Sequence, residues 1–164
     1  MACTLTVLSI DACSSIEPRF QYMNALTIKQ PFASLVVFGL KTLEIRSRQT
    51  HIRGRVLICS SQKPFAGGMF NPDNVGEYLD DAVEYIRRMG NLAVHGHAIG
   101  MVDIVGCHPM QPNDFKHSFV KYTPGMFAWE LENAVEIEPF PVVGQLGFFK
   151  VPANLVRIKS TLKW

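Results

Sequence analysis

Gly39-Leu40-Lys41-Thr42-Leu43-Glu44-Ile45-Arg46 is the run on which the reading of this chain turns. Leu43 and Ile45 alternate with Thr42, Glu44 and Arg46, the period of a strand with one face buried and one wet. Gly39 supplies the left-handed turn into that strand, a conformation that costs glycine little. Lys41 stands at the strand mouth, so the run predicts a cation, an anion and a second cation gathered over Lys41, Glu44 and Arg46. At about 3.3 Å per residue these heads fall within about 15–18 Å of one another. A mixed-charge cluster on a rigid strand suits a partner that is anionic and rich in hydrogen-bonding groups, which points to a nucleotide or nucleic acid. The plainer alternative is a solvent face whose charges serve solubility and weak cross-strand pairing, worth roughly 0.2–1 kcal/mol.

Working outward, residues 24–28 read as a short strand, and Lys29-Gln30-Pro31 as a helix start with Pro31 at the first helical position. Phe32, Leu35 and Val36 recur at helical spacing, which predicts a short buried helix over 31–38 closed by Gly39. Strands are expected over 42–47 and 55–60, joined by a polar connection carrying His51, Arg53 and Gly54. Gly67-Gly68 and Asn71-Pro72 mark a loop, and Val75, Tyr78, Leu79, Ala82, Ile86 and Met89 then repeat as one face of an amphipathic helix ending at Gly90. Residues 93–107 form a long strand pattern interrupted by Gly96, Gly100 and Gly106, the mark of bulges or barrel corners. Further strands are expected over 127–137 and 147–151, and a short terminal helix over 152–158. Five or six strands with these two helices predict an α+β fold, a small mixed β-barrel. The chain divides into an arm over 1–23, one domain over 24–158 and a tail over 159–164.

Composition agrees with that scale. A chain of 164 residues, 48% hydrophobic and 18% charged, is the size and make-up of one ordinary globular domain. Net charge is only +2, but seven basic residues lie between Lys29 and Lys63 against the single acid Glu44. Eleven of the 14 acids fall between Asp73 and Glu138. A basic segment on a near-neutral domain is a local footprint for an anionic partner, or is paired against the acidic half. Cys3, Cys13, Cys59 and Cys107 are scattered without a Cys-x-x-Cys, which fits a reducing cytosol better than a disulfide framework. No apolar run approaches the ~18 residues of a membrane span, so the expected setting is cytoplasmic with no membrane partner.

Taken in order, these motifs resemble a known family. Leu26-Thr27-Ile28-Lys29-Gln30-Pro31-Phe32, then Gly39-x-Lys41-x-x-Glu44-x-Arg46-Ser47, then Arg53-Gly54-Arg55-Val56, is similar to the ASCH domain, the activating signal cointegrator homology domain. Ala98-Ile99-Gly100-Met101-Val102-Asp103 and Phe127-Ala128-Trp129-Glu130 extend the match. The resemblance implies a PUA-like barrel with a cleft beside the first helix that holds the Lys/Glu/Arg motif. It also implies binding of RNA, single-stranded nucleic acid or a nucleotide, while a few small members hydrolyse acylated cytidine or cut RNA. In that deacylating branch the motif lysine is followed three positions later by a nucleophilic threonine; here that position is Glu44, and Thr42 follows Lys41 directly.

The candidate ligand-binding residues are Lys29, Gln30, Lys41, Glu44, Arg46, Arg53, Arg55, Ser60 and Trp129. The basic members would hold phosphates, with an affinity that falls as salt rises. Glu44 would accept an exocyclic amine or ring N–H and so read base identity, or else simply pair with Lys41 or Arg46. Trp129, Phe127 and Phe32 offer stacking faces, although Phe127, Trp129 and Leu131 share one strand face and fit the core better. Ser60, Ser61 and Gln62 flank the inferred cleft. The alternative function is a hydrolase without metal or cofactor, centred on Lys41 and Glu44, with Thr42 or Ser60 as a nucleophile. His95 and His97 are two apart, but spacing supplies no third ligand for a metal.

Overall fold

The alternating runs fold into one six-stranded mixed sheet in a computed structural model that describes residues 21–63 and 94–159 together with Glu84 and Arg88. The strands are β1 (Tyr22–Ile28), β2 (Leu43–Arg46), β3 (Gly54–Ser60), β4 (His97–Pro109), β5 (Phe127–Pro141) and β6 (Phe148–Pro152). Their order is β2-β5-β4-β3-β1-β6, with β1 parallel to β3 and every other pair antiparallel. The parallel pair follows from the crossover helix α1 (Phe32–Val37), whose six residues are all buried. Pro31 takes the N-cap of that helix, one position earlier than expected.

Curling of the sheet brings its two ends together. Trp129 of β5, beside edge strand β2, stacks on Phe148 of the opposite edge strand β6 with ring centroids 5.4 Å apart and planes 5° from parallel. The result is a half-barrel with a seam between β2 and the β1–β6 pair. Strand alternation fills both faces. Leu26, Val56, Ile58, Val102 and Leu131 pack with α1 on one side, and Ala25, Leu57, Cys59, Met101 and Phe149 pack on the other.

The long strand behaves as its glycines require. Pairing of β4 with β5 slips at Ala98/Gly100, at Met101/Asp103 and at Ile104/Gly106. A β-carbon at Gly100 would lie 2.5 Å from both methyls of Val37 and 2.9 Å from the Val135 carbonyl oxygen, so α1 rests directly on this glycine. Gly100→Ala is therefore expected to cost about 1–3 kcal/mol as overpacking, read as a lower urea midpoint at unchanged slope.

The structure differs from expectation at the C-terminal end. Residues 152–158 form a single 3-10 turn (Ala153–Leu155), not a helix. The chain then runs extended beside β5, where Glu138 N–H donates to the Arg157 carbonyl at 2.8 Å and Ile158 bridges Ile137. Six or seven residues led by a proline gain more from pairing with a strand than from a helix too short to propagate. The amphipathic helix over 75–90 and the Gly67-Gly68 loop lie outside the described residues, except that Glu84 and Arg88 are helical and form an ion pair at 3.1 Å. Among the described residues no helix is long and apolar enough to cross a membrane.

Candidate functional site

The C-terminus of α1 directs Lys41 inward. Gly39 at φ 73° turns the chain, and Leu40 and Lys41 both donate backbone N–H groups to the Leu35 carbonyl. Lys41 lies before β2 begins, so its long side chain is free of strand alternation and folds under the sheet. It is 1% exposed. Its ammonium has three protons, and there are three acceptors: the Leu43 carbonyl, the Ser118 carbonyl at 2.7 Å and Glu44 Oε2 at 3.3 Å. The Phe32 ring lies beneath it, 5.6 Å from Nζ to the centroid. Burial lowers the Lys41 pKa from 10.5; attraction to and hydrogen bonding with Glu44 oppose this without cancelling it, and Arg46 lowers it further.

Glu44 is held from both sides. Its Oε1 meets Arg46 Nε at 2.9 Å, an ion contact rather than an aligned hydrogen bond, since the Nε–H points to no acceptor. Arg46 Nη2 donates to the Thr27 carbonyl at 3.0 Å, bridging the seam from β2 to β1, and its guanidinium covers the Trp129 ring at 5.9 Å. The three charged heads expected from the sequence therefore converge, with net charge +1 across Lys41, Glu44 and Arg46.

They converge on the floor of a cleft of about 360 Å³ that opens along the seam. Ile45 and Arg46 of β2 form one side, and Thr27, Ile28 and Lys29 at the end of β1 form the other. Phe32, Ser61, Val120 and the 145–147 segment complete the lining. A second cavity of about 330 Å³ shares Lys41 in its lining, together with Thr42, Leu131, Glu132 and Asn133 among others.

The remaining candidates are distributed as follows. Lys29 lines the cleft and is exposed. Gln30, 3% exposed, is a strut: Oε1 accepts the Ser34 N–H and hydroxyl, and Nε2 donates to the Val94 carbonyl at 3.0 Å. Ser60 exchanges hydrogen bonds with the His97 backbone at 3.2 Å, tying β3 to β4. Trp129, 6% exposed, spends one face on Phe148 and its Nε1–H on the Arg48 carbonyl, so it is part of the core. Arg53 folds onto the Thr50 and Ile52 carbonyls, and Arg55 pairs with Asp103 at 3.0 Å on the adjacent strand. Neither arginine is part of the cleft lining. His95 and His97 turn ring nitrogens to the Ser61 and His95 carbonyls. Cys59 is packed in the core, where burial pushes its thiol up to about 12, and Cys107 is half-buried against the core.

Thr27, Ile45, Val120 and the 145–147 segment were not signalled as cleft residues by any motif. They meet because the sheet curls, and the only local hint is in two glycines of the loop between β5 and β6: Gly144 passes close to Thr27, where a β-carbon would lie 2.7 Å from its Oγ1, and Gly147 turns the chain at φ 72°.

A curled six-stranded mixed sheet with few helices is the architecture of a PUA-like domain. The ASCH domain model matches residues 26–141, most of the chain, and the protein belongs to that family. Among solved structures it is similar to the ASCH protein from Zymomonas mobilis, with 13% identity and TM-score 0.51, covering 80% of this chain and 89% of that one. Two mutant forms of the same Zymomonas mobilis protein give TM-scores of 0.50 and 0.52, also at 13% identity, covering 80% and 82% of this chain and 91% and 96% of theirs. At that identity the likeness is one of fold. No curated protein matches the sequence.

Proposed function

We propose that the seam cleft binds an unpaired base, as part of RNA or single-stranded DNA or as a nucleotide. The observation that carries this is the Glu44 carboxylate fixed between two cations on the cleft floor. A groove built only to hold phosphate would not carry an anion at its base. A pinned carboxylate instead offers lone pairs to ring N–H or amino groups, the contacts that distinguish one base from another. Ile28, Ile45 and Leu146 supply apolar contact for a ring, and the Ser61 hydroxyl and Gln145 amide stand within the same lining. PUA-like folds are generally linked to RNA binding, which supports the same reading.

The hydrolase alternative fares less well on this geometry. Thr42 lines the second cavity, Ser60 is bonded to the His97 backbone, and the Lys41 ammonium is matched by three acceptors. Binding is therefore the reading adopted.

The charge inventory makes the reading quantitative. Lys41 is buried among three acceptors, and the other cations of the cleft lining, Lys29 and Arg46, are the ones that would meet phosphate. One or two phosphate contacts on a single strand predict a slope of log K against log salt of about −0.7 to −1.4, or about a 3–7-fold loss from 50 to 200 mM salt. Fluorescence anisotropy with short single-stranded RNA and DNA checks this, alongside competition by free nucleosides. Gln145→Ala, at an exposed position, should weaken binding while leaving stability unchanged. A slope steeper than about −3 would place the partner on a broad basic surface, and absence of binding by every oligonucleotide and nucleoside at millimolar concentration would end the proposal.

A further inference from the structure

A second charged cluster lies behind the cleft wall. His108, near the end of β4, places Nδ1 2.8 Å from Glu130 Oε1 on β5 and Nε2 3.1 Å from Asp114 Oδ2. The same Asp114 oxygen accepts the Gln111 backbone N–H at 2.7 Å. A neutral imidazole has one N–H and one lone pair, so it cannot donate to two carboxylates at once. With both ring nitrogens at hydrogen-bond distance from carboxylate oxygens, the geometry is that of an imidazolium.

The fold makes room for this arrangement. A β-carbon at Gly106 would lie 2.2 Å from Glu130 Oε2, so only glycine there lets the carboxylate lie across β4 beside His108. Asp114 opens α2 (Phe115–Ser118), and α2 leads straight to the cleft. Its His117 carbonyl accepts the Thr42 N–H at 3.0 Å, its Ser118 carbonyl accepts Lys41 Nζ at 2.7 Å, and Val120 lines the cleft. The other titratable side chains on this element, Lys116 and His117, are exposed and take no part in the cluster's hydrogen bonds.

We propose that His108 is a positioning residue for the cleft: its charged ring clasps residues 111–120 against β5, and loss of the proton releases the wall that carries Ser118 and Val120. Partial burial of the ring pulls its pKa down, but hydrogen bonds to Glu130 and Asp114 and the charges of both more than offset this, so it lies above the usual 6.5. A group raised on folding stabilises fully below its unfolded value and ceases to do so as pH passes its folded value. The clasp is therefore closed in acid and opens as pH climbs through the value held by the folded protein, above 6.5. The effect on ligand binding rests on the reading of the cleft given above; the clasp itself does not.

The test is an NMR titration of the ligand-free full chain from about pH 5 to about pH 9, following the His108 ring and the backbone amides of Thr42, Gln111 and Val120. The expected result is a His108 midpoint above 6.5, with all three amides shifting at that same midpoint. In His108→Gln the shared inflection disappears. In Gly106→Ala, which displaces the Glu130 carboxylate, and in Asp114→Asn, which keeps an acceptor but removes its charge, the midpoint falls. These two variants decide the matter even if His108→Gln does not fold. A midpoint at or below the ordinary value, or Thr42 and Val120 amides that stay flat while His108 titrates, overturns the proposal. Oligonucleotide affinity measured over the same range should fall several-fold with the same midpoint. Failure of all binding with the amide titration intact would refute the cleft reading and leave the clasp standing.

Discussion

Replacing Lys41 with methionine is expected to lower the unfolding free energy by about 3–5 kcal/mol, the largest stability effect of any single substitution at the cleft. The linear side chain keeps the volume, so the loss is electrostatic. The Leu43 and Ser118 carbonyls lose their donor in the interior, and Glu44 keeps only the partly exposed Arg46. Each stranded group costs its desolvation in full. Urea unfolding at neutral pH measures the effect, with Lys150→Met at an exposed position of β6 as a control within about 0.5 kcal/mol of wild type. The pH dependence supplies a second signature. Burial holds the folded-state Lys41 below 10.5, so between that lowered value and 10.5 the unfolded chain binds the extra proton and wild-type stability rises with pH. The difference between wild type and Lys41→Met should therefore widen with pH across that interval. A Lys41→Met protein as stable as wild type would mean that the ammonium is not a buried member of the site.

What the sequence made legible, and what it did not, follows from the range of the forces involved. Alternation in Leu43–Arg46 is a nearest-neighbour property, and the strand formed where it was expected. The glycines at 100 and 106 announced bulges because a missing side chain is a local fact. Convergence of Lys41, Glu44 and Arg46 was also legible, since Lys41 lies two residues before the strand and can reach either face. Its burial was not, because that depends on Ser118, 77 positions away in sequence. Arg53 and Arg55 failed to join the cleft for a related reason. Their side chains are claimed by the Thr50 carbonyl and by Asp103 of a neighbouring strand, and pairing register cannot be read from β3 alone. Trp129 illustrates the limit in the other direction. Period two placed it on the face of Leu131, and the core reading held, but the Phe148 ring stacked on it comes from the far edge of the sheet. The His108 clasp gave no signal at all, since its members at 108, 114 and 130 show no recurring spacing.

Glu44→Gln should be nearly as damaging as loss of Lys41, and its dependence on background says whether the three heads form one unit. In the wild-type chain the substitution leaves the Lys41 ammonium buried at 1% exposure with only carbonyl dipoles to balance it, at a cost of about 3–5 kcal/mol. In a Lys41→Met chain that uncompensated charge no longer exists, and the same substitution disturbs only the contact with Arg46, whose side chain is 30% exposed. The second cost should therefore be the smaller, and the double-mutant cycle should return a coupling of about 0.5–3 kcal/mol. Ligand binding provides the functional half of the test. Glutamine keeps the shape of the side chain but replaces one acceptor oxygen with an NH₂ donor, so a base that donates to Glu44 meets a mismatched group. Leaving such a polar contact unmade costs about 1–3 kcal/mol, or about 5–150-fold in affinity, at temperatures where the variant remains folded. Additive stabilities would show that Lys41 and Glu44 are neighbours without being partners. Undiminished affinity would show that the carboxylate holds the cations in place and does not read the base.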